Sequence, residues 1–177
     1  MDTLTAIMHS PMTSCTAHCT IRVLSADKGV VRRYVQEVVN EGKIELVDSL
    51  FSTDLAFHLP HLHGPLRGRE IFKQLIGQTR IVFPDMRMDI EDIVAEADKV
   101  FTRGTFRGSY HGAPLSAWKI ADGVVPIVLI PGMTLFRIER RKIGEVWVEE
   151  NFLEVLRQLG ISVTFPPELP CIKGWTN

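Results

Sequence analysis

The chain has 177 residues, of which 45% are hydrophobic and 23% charged, with 20 basic against 21 acidic side chains. That is the make-up of one globular domain with its own apolar core, and it excludes collagen-like, coiled-coil and disordered chains. A formal net charge of −1 gives no general attraction for nucleic acid or an anionic membrane, and the longest apolar run, 124–130, is broken by Pro126 and is far short of a bilayer span.

Residues 1–24 are rich in Thr, Ser, His, Met and Cys without a period, and read as a flexible or peripheral extension. Their start carries Asp2 and no sustained apolar stretch, so no secretory leader is expected and the expected location is cytoplasmic. Cys15, Cys19 and Cys171 are an odd set, which argues against a disulfide framework; Cys15, His18 and Cys19 have no second ligand pair after them, so no metal is expected.

The domain proper is read as residues 25–162, followed by a tail, 163–177. Ser25 or Asp27 is a candidate cap for a first helix whose apolar residues Val30, Val31, Tyr34, Val35, Val38 and Val39 share one face, with Gly42 as its stop. A short helix over 43–51 precedes an extended stretch, 55–59, which Pro60, Gly64 and Pro65 break into a loop. A third helix, 69–82, ends before Pro84. The period then changes to two: strands over 86–91 and 100–109, an irregular segment over 110–131, and strands over 133–138 and 143–150. Val124 to Leu129 is open to a second reading, as a strand that would shorten the irregular segment. A terminal helix spans 151–159. Helices first and neighbouring strands afterwards give an α+β class, with helices on one face of a largely antiparallel, curved sheet.

Three stretches resemble the SnoaL-like polyketide cyclases of the nuclear transport factor 2-like superfamily. They are VVRRYVQEVVNEGKIELVDSLFSTDLAFHLP, LRGREIFKQLIGQ and MTLFRIERRKIGEVWVEENFLEVLRQLG, which together span most of residues 30–160. The resemblance implies a cone-shaped α+β barrel, a homodimer, and a hydrophobic cavity for a small organic molecule. It also implies closure of a polyketide ring by an intramolecular aldol step without metal or organic cofactor. The family's catalytic aspartate aligns with Val148 and its histidine with Thr134, neither of which does acid–base work at neutral pH. A hairpin that sets Ile138 opposite Gly144 also sets Thr134 opposite Val148.

Other residues must therefore carry any chemistry, since fold alone does not license function. An aldol or isomerisation step needs a base and a donor for the developing enolate oxygen. If Val148 faces the cavity, Val146 and Glu150 share its face while Glu145, Trp147 and Glu149 point away. Glu150 is then the replacement carboxylate, with a pKa that apolar burial would raise; the competing reading is a solvated strand end or a cap for the next helix. His58, His61 and His63 form the densest imidazole cluster, with His58 and His61 the candidate base and electrophile and a solvent-exposed loop as the alternative. Tyr110, His111 and Trp118 are candidate substrate contacts from the irregular segment, whose length suits a lid. Phe57, Phe106, Phe136 and Trp147 are cavity walls or ordinary core. Arg107, like Arg103, is open to pairing with Glu150 or an acidic ligand, or to facing solvent. The cluster Arg137, Arg140, Arg141 and Lys142 reads as solvated charge at a hairpin turn, with an anion site as the alternative. The expected function is that of a cofactor-independent cyclase or isomerase acting on a small hydrophobic polyketide or terpenoid. Hydration, dehydration and epoxide opening stay open, as does a non-catalytic binding or dimerisation module.

Overall fold

A computed structural model describes residues 14–60, 62–111 and 126–159, with side chains from residue 24 onward. Helix α1 (Ser14–Arg33) runs on as a π-helical segment, Tyr34–Asn40, and the helical run stops short of Gly42, as expected. Its start differs from the expectation. Ser25 and Asp27, read as caps, lie inside α1, and residues 14–24, read as extension, are its first turns. A 3₁₀ turn, Ile44–Leu46, and α2 (Val47–Leu50) then lead into β1 (Phe51–His58).

After a loop come β2 (Leu66–Arg67), which the sequence pattern did not announce, and α3 (Arg69–Val82), at its expected bounds. The strands β3 (Arg87–Glu96), β4 (Lys99–Ser109), β5 (Ile127–Glu139) and β6 (Lys142–Glu150) follow, and α4 (Phe152–Gln158) closes the described chain. The six strands form one sheet in the order β2-β1-β6-β5-β4-β3, antiparallel except for the β1–β6 pair. Among the described residues no helix is long and apolar enough to cross a membrane.

The register between β5 and β6 sets Thr134 opposite Val148 and Arg137 opposite Glu145. Ile138 pairs with Ile143 rather than with the expected Gly144, because a bulge between Arg137 and Ile138 absorbs one residue. The turn that follows has Arg140 and Arg141 at φ of 49° and 63°, the signature of a two-residue type I′ hairpin, whose twist matches that of the flanking strands.

Strand β5 is much longer than the 133–138 expected, and it takes in residues 127–129 of the alternative strand and 127–131 of the supposed irregular segment, of which 112–125 lie outside the described residues. Pro131 is tolerated inside it because β6 pairs no further than Gly132–Glu150, so residues 127–131 bond to β4 on one side only.

The helices lie over one face of the curved sheet. Val31, Val38, Val47, Phe51, Leu55, Phe72, Val100, Ile143 and Val146 are wholly buried between the two layers. The aromatic centre is Phe72 of α3, whose ring lies 4.8 Å from Phe51 and 4.9 Å from Phe57, with Tyr34 edge-on to Phe51 at 5.1 Å.

Candidate active site

Between the layers the sheet encloses a cavity of about 350 Å³. Period two decides which side chains reach it, and the ladder stacks them in rows. The first row is Phe136 and Val146; the second is Thr102, Thr134 and Val148; the third is Gly104, Gly132 and Glu150; Phe106 and Ile130 come next. Helical residues complete the walls, among them Tyr34, Val35 and Val39 from the π-helical segment and Leu75, Ile76 and Thr79 from α3. At the far end α4 adds Phe152 and Val155.

Two of the three positions of the third row lack side chains for a steric reason. A Cβ on Gly104 would stand 2.4 Å from the Asp89 carbonyl oxygen, where β3 bulges, and one on Gly132 would stand 2.9 Å from the Glu149 carbonyl oxygen. Glu150 therefore flanks a shelf of open backbone. The same three residues also border a shallower depression of about 400 Å³ that extends toward Arg103, Met133 and Asn151.

Phe57, Thr134, Phe136, Val148 and Glu150, all expected at the site, line the cavity together. Their polar groups differ in engagement. Thr102 Oγ1 donates to the Thr134 carbonyl at 3.4 Å, and Thr79 Oγ1 donates to the Leu75 carbonyl at 2.8 Å. Burial pushes the Tyr34 phenol pKa far up, so it stays protonated at any working pH. Tyr34, Thr102 and the two glycines were not among the expected site residues. Tyr34 was legible as part of the apolar helix face, but its contact with a cavity depends on the tertiary packing.

His58 is a correction. Phe57 and His58 are consecutive on β1, so one side chain faces the cavity and the other must face away. On the outer face His58 Nε2 lies 2.8 Å from Glu145 Oε1, and its ring stacks on Trp147 with centroids 5.3 Å apart and planes 9° from parallel. Arg137 Nη2 donates to Glu145 Oε2 at 2.8 Å, and Arg137 also pairs with Glu139. Burial alone would raise the Glu145 carboxyl, but the hydrogen bonds from His58 and Arg137 outweigh it and hold the group below the ordinary carboxylate range. Trp147, read as a cavity wall or ordinary core, belongs to this outer cluster, on the side opposite Val148 as alternation along β6 requires. Arg137 and the turn arginines thus sit in a set of ion pairs and an exposed turn.

Arg107 also lies on the outer face, because Phe106 points inward; its Nε is 3.5 Å from Asp89 Oδ2. Arg103 there pairs with Glu91 and Asp92, not with Glu150. His63 is exposed in the loop after β1, and His111 is exposed beyond β4 with its backbone N–H donating to the Val82 carbonyl at 2.7 Å. Tyr110 packs edge-on to Phe83 at 5.6 Å, in a small apolar cluster with Val128, Val155 and Leu159 rather than on the cavity wall. His61 and Trp118 lie outside the described residues, as does Cys171. Among the described residues no three His, Cys, Asp or Glu side chains converge as a metal site.

A profile of the SnoaL-like polyketide cyclase family matches residues 29–159. The chain belongs to that family. No curated protein sequence matches it. Solved structures share the fold. One is a candidate polyketide cyclase from Acidithiobacillus ferrooxidans, 22% identical with a TM-score of 0.66, over 76% of this chain and 94% of the other. Another is a candidate SnoaL-like polyketide cyclase from Jannaschia sp. CCS1, 18% identical with a TM-score of 0.66, over 89% of this chain and all of the other. Wild-type IdmH from Streptomyces antibioticus, described as a candidate polyketide cyclase, is 25% identical with a TM-score of 0.63, over 76% of this chain and 99% of the other. This SnoaL-like chain thus keeps the nuclear transport factor 2-like scaffold while carrying Thr134 and Val148 inside its cavity.

Proposed function

We propose that this SnoaL-like protein catalyses ring closure or isomerisation of a small, largely apolar polyketide or terpenoid inside the cavity, without a cofactor and with Glu150 as the proton acceptor. The supporting observation is the place of Glu150, whose carboxylate stands at the cavity beside the bare Gly104–Gly132 shelf. The shelf admits a substrate carbon to the carboxylate. In the step, Glu150 takes a proton from a carbon next to a carbonyl, and the C–H electron pair moves into the enolate, whose oxygen accepts a hydrogen bond from the Thr134 hydroxyl. In a cyclase the enolate carbon then bonds to a second carbonyl carbon of the same molecule, and the resulting alkoxide takes the proton back from Glu150. No atom is gained or lost. In an isomerase the proton returns to a different carbon.

The other reading, a non-catalytic module that holds a small molecule, is favoured by one observation: the family's acid–base positions are occupied by Thr134 and Val148. Exchange of the α-protons of 2-tetralone in D₂O, followed by NMR, separates the two readings. Catalysis predicts exchange by the wild type that falls about 10²- to 10⁴-fold in Glu150→Gln while 2-tetralone still binds. Binding without exchange by the wild type would establish the holding module instead. A homodimer is the working assembly we propose with this reading; Val94 and Met133 leave 59% and 49% of their surface exposed on the outer sheet face, and sedimentation at micromolar concentration tests it.

A further inference from the structure

Tyr34 is 92% buried yet lines the cavity, and no hydrogen-bond partner for its hydroxyl occurs among the described residues. The hydroxyl is not among the fully enclosed polar atoms that lack a partner, so it is open to the cavity and able to donate to a molecule held there. Its position is also informative. The Tyr34 ring rests 5.9 Å from Phe136 and 5.1 Å from Phe51, at the first row of the floor, whereas Glu150 belongs to the third row. Phe136 and Gly132 are four residues apart on β5, which corresponds to about 13 Å along the strand.

We propose that Tyr34 is a substrate-anchoring residue that donates a hydrogen bond to an oxygen at the leading end of an elongated, otherwise apolar substrate, whose reacting carbon lies at the opposite end beside Glu150. The inference rests on the reading of Glu150 given above and adds the substrate's polarity and orientation to it. The first and third rows stand about 13 Å apart along the strand, which leaves room between the two contacts for a substrate of fused-bicycle size. Between the two ends Val146, Val148 and Phe136 offer apolar surface, and Thr134, in the row next to Glu150, meets the carbonyl oxygen beside the reacting carbon. A substrate without the leading oxygen would leave the phenol desolvated and unpaired, which is how a buried polar group discriminates between otherwise similar ligands.

The test compares 6-hydroxy-2-tetralone with 6-methyl-2-tetralone, near-isosteric probes that carry the acidic C–H at one end and differ at the other. In the α-proton exchange assay the wild type should show a KM about three- to tenfold lower for the hydroxy probe, and Tyr34→Phe should erase that preference by raising KM for the hydroxy probe to that of the methyl probe. A preference that survives in Tyr34→Phe overturns the anchoring role; the Glu150 reading still stands if Glu150→Gln has lost exchange. If the wild type exchanges neither probe, the Glu150 reading fails, and calorimetric titration of the same pair decides the anchor: equal wild-type affinity for both overturns it, and a preference lost in Tyr34→Phe supports it. Tyr34→Phe should melt at or above the wild-type temperature, since it deletes an unpaired hydroxyl. A fall of several degrees would mean that the hydroxyl has a structural partner, and would overturn the inference.

Discussion

Thr134 on β5 and Val148 on β6 stand directly opposite one another, and both face the cavity. The two positions that the sequence resemblance aligns with an acid–base pair are therefore adjacent, and hold a hydroxyl and an isopropyl group. Val148→Asp alone should cost about 1–3 kcal/mol, because it desolvates a carboxyl without a designed partner. Adding Thr134→His should recover about 0.5–3 kcal/mol of that as a coupling term in a double-mutant cycle read by urea unfolding. Strict additivity would show that the two side chains do not meet.

Phe72 makes the centre of the aromatic core, wholly buried against the rings of Phe51, Phe57 and Tyr34. Phe72→Ala should lower stability by about 3–5 kcal/mol in chemical denaturation, from lost transfer energy and the cavity left behind. A loss under 1 kcal/mol would mean that α3 does not pack on the sheet in this way.

The outer-face cluster predicts an acid dependence through Glu145. Its carboxyl titrates below its ordinary value of 4.5 in the folded chain, so the stabilisation from His58 and Arg137 is complete above about 4.5 and is lost as pH falls through the lower folded value. The difference in melting temperature between wild type and Glu145→Gln should therefore be present at pH 6 and shrink toward zero below pH 4. A difference that stays constant across that window would show that Glu145 is not held ionised by its neighbours.

Asn151 caps α4 by accepting the Glu154 backbone N–H on its side-chain oxygen at 3.2 Å. Asn151→Ala should weaken α4 by about 0.5–2 kcal/mol, seen as faster amide exchange over Phe152–Gln158. Because Phe152 and Val155 of that helix line the Glu150 end of the cavity, KM for 2-tetralone should rise as well.

The sequence made much of this architecture legible where a single period ran unbroken. Helix α3 fell at its expected bounds because its apolar spacing is regular and Pro84 lies just beyond it, and Thr134–Val148 pairing followed from the hairpin despite the bulge. Failures came where a local signal was overruled by what lies beside it. Residues 127–131 read as part of an irregular segment, yet they sit within β5, where Pro131 is accommodated because one side of that stretch has no partner strand and Gly132 clears the Glu149 carbonyl. His58 and Phe57 were both assigned to the site although alternation along β1 allows only one of them there, and Phe57 has the apolar side chain that the interior requires. The role of Gly104 is not visible in the chain because the atom it must avoid, the Asp89 carbonyl oxygen, is brought there by another strand.

The π-helical segment ends in Asn40, whose side-chain amide accepts from the Met88 N–H at 2.7 Å and donates to the Met88 carbonyl at 3.1 Å. Met88 belongs to β3, the outermost strand on that side of the sheet, and the amide occupies the backbone groups that an incoming strand would use. That margin is therefore sealed against strand-by-strand polymerisation at Met88. An Asn40→Ala chain would be expected to form fibrillar aggregates more readily than the wild type on prolonged warming.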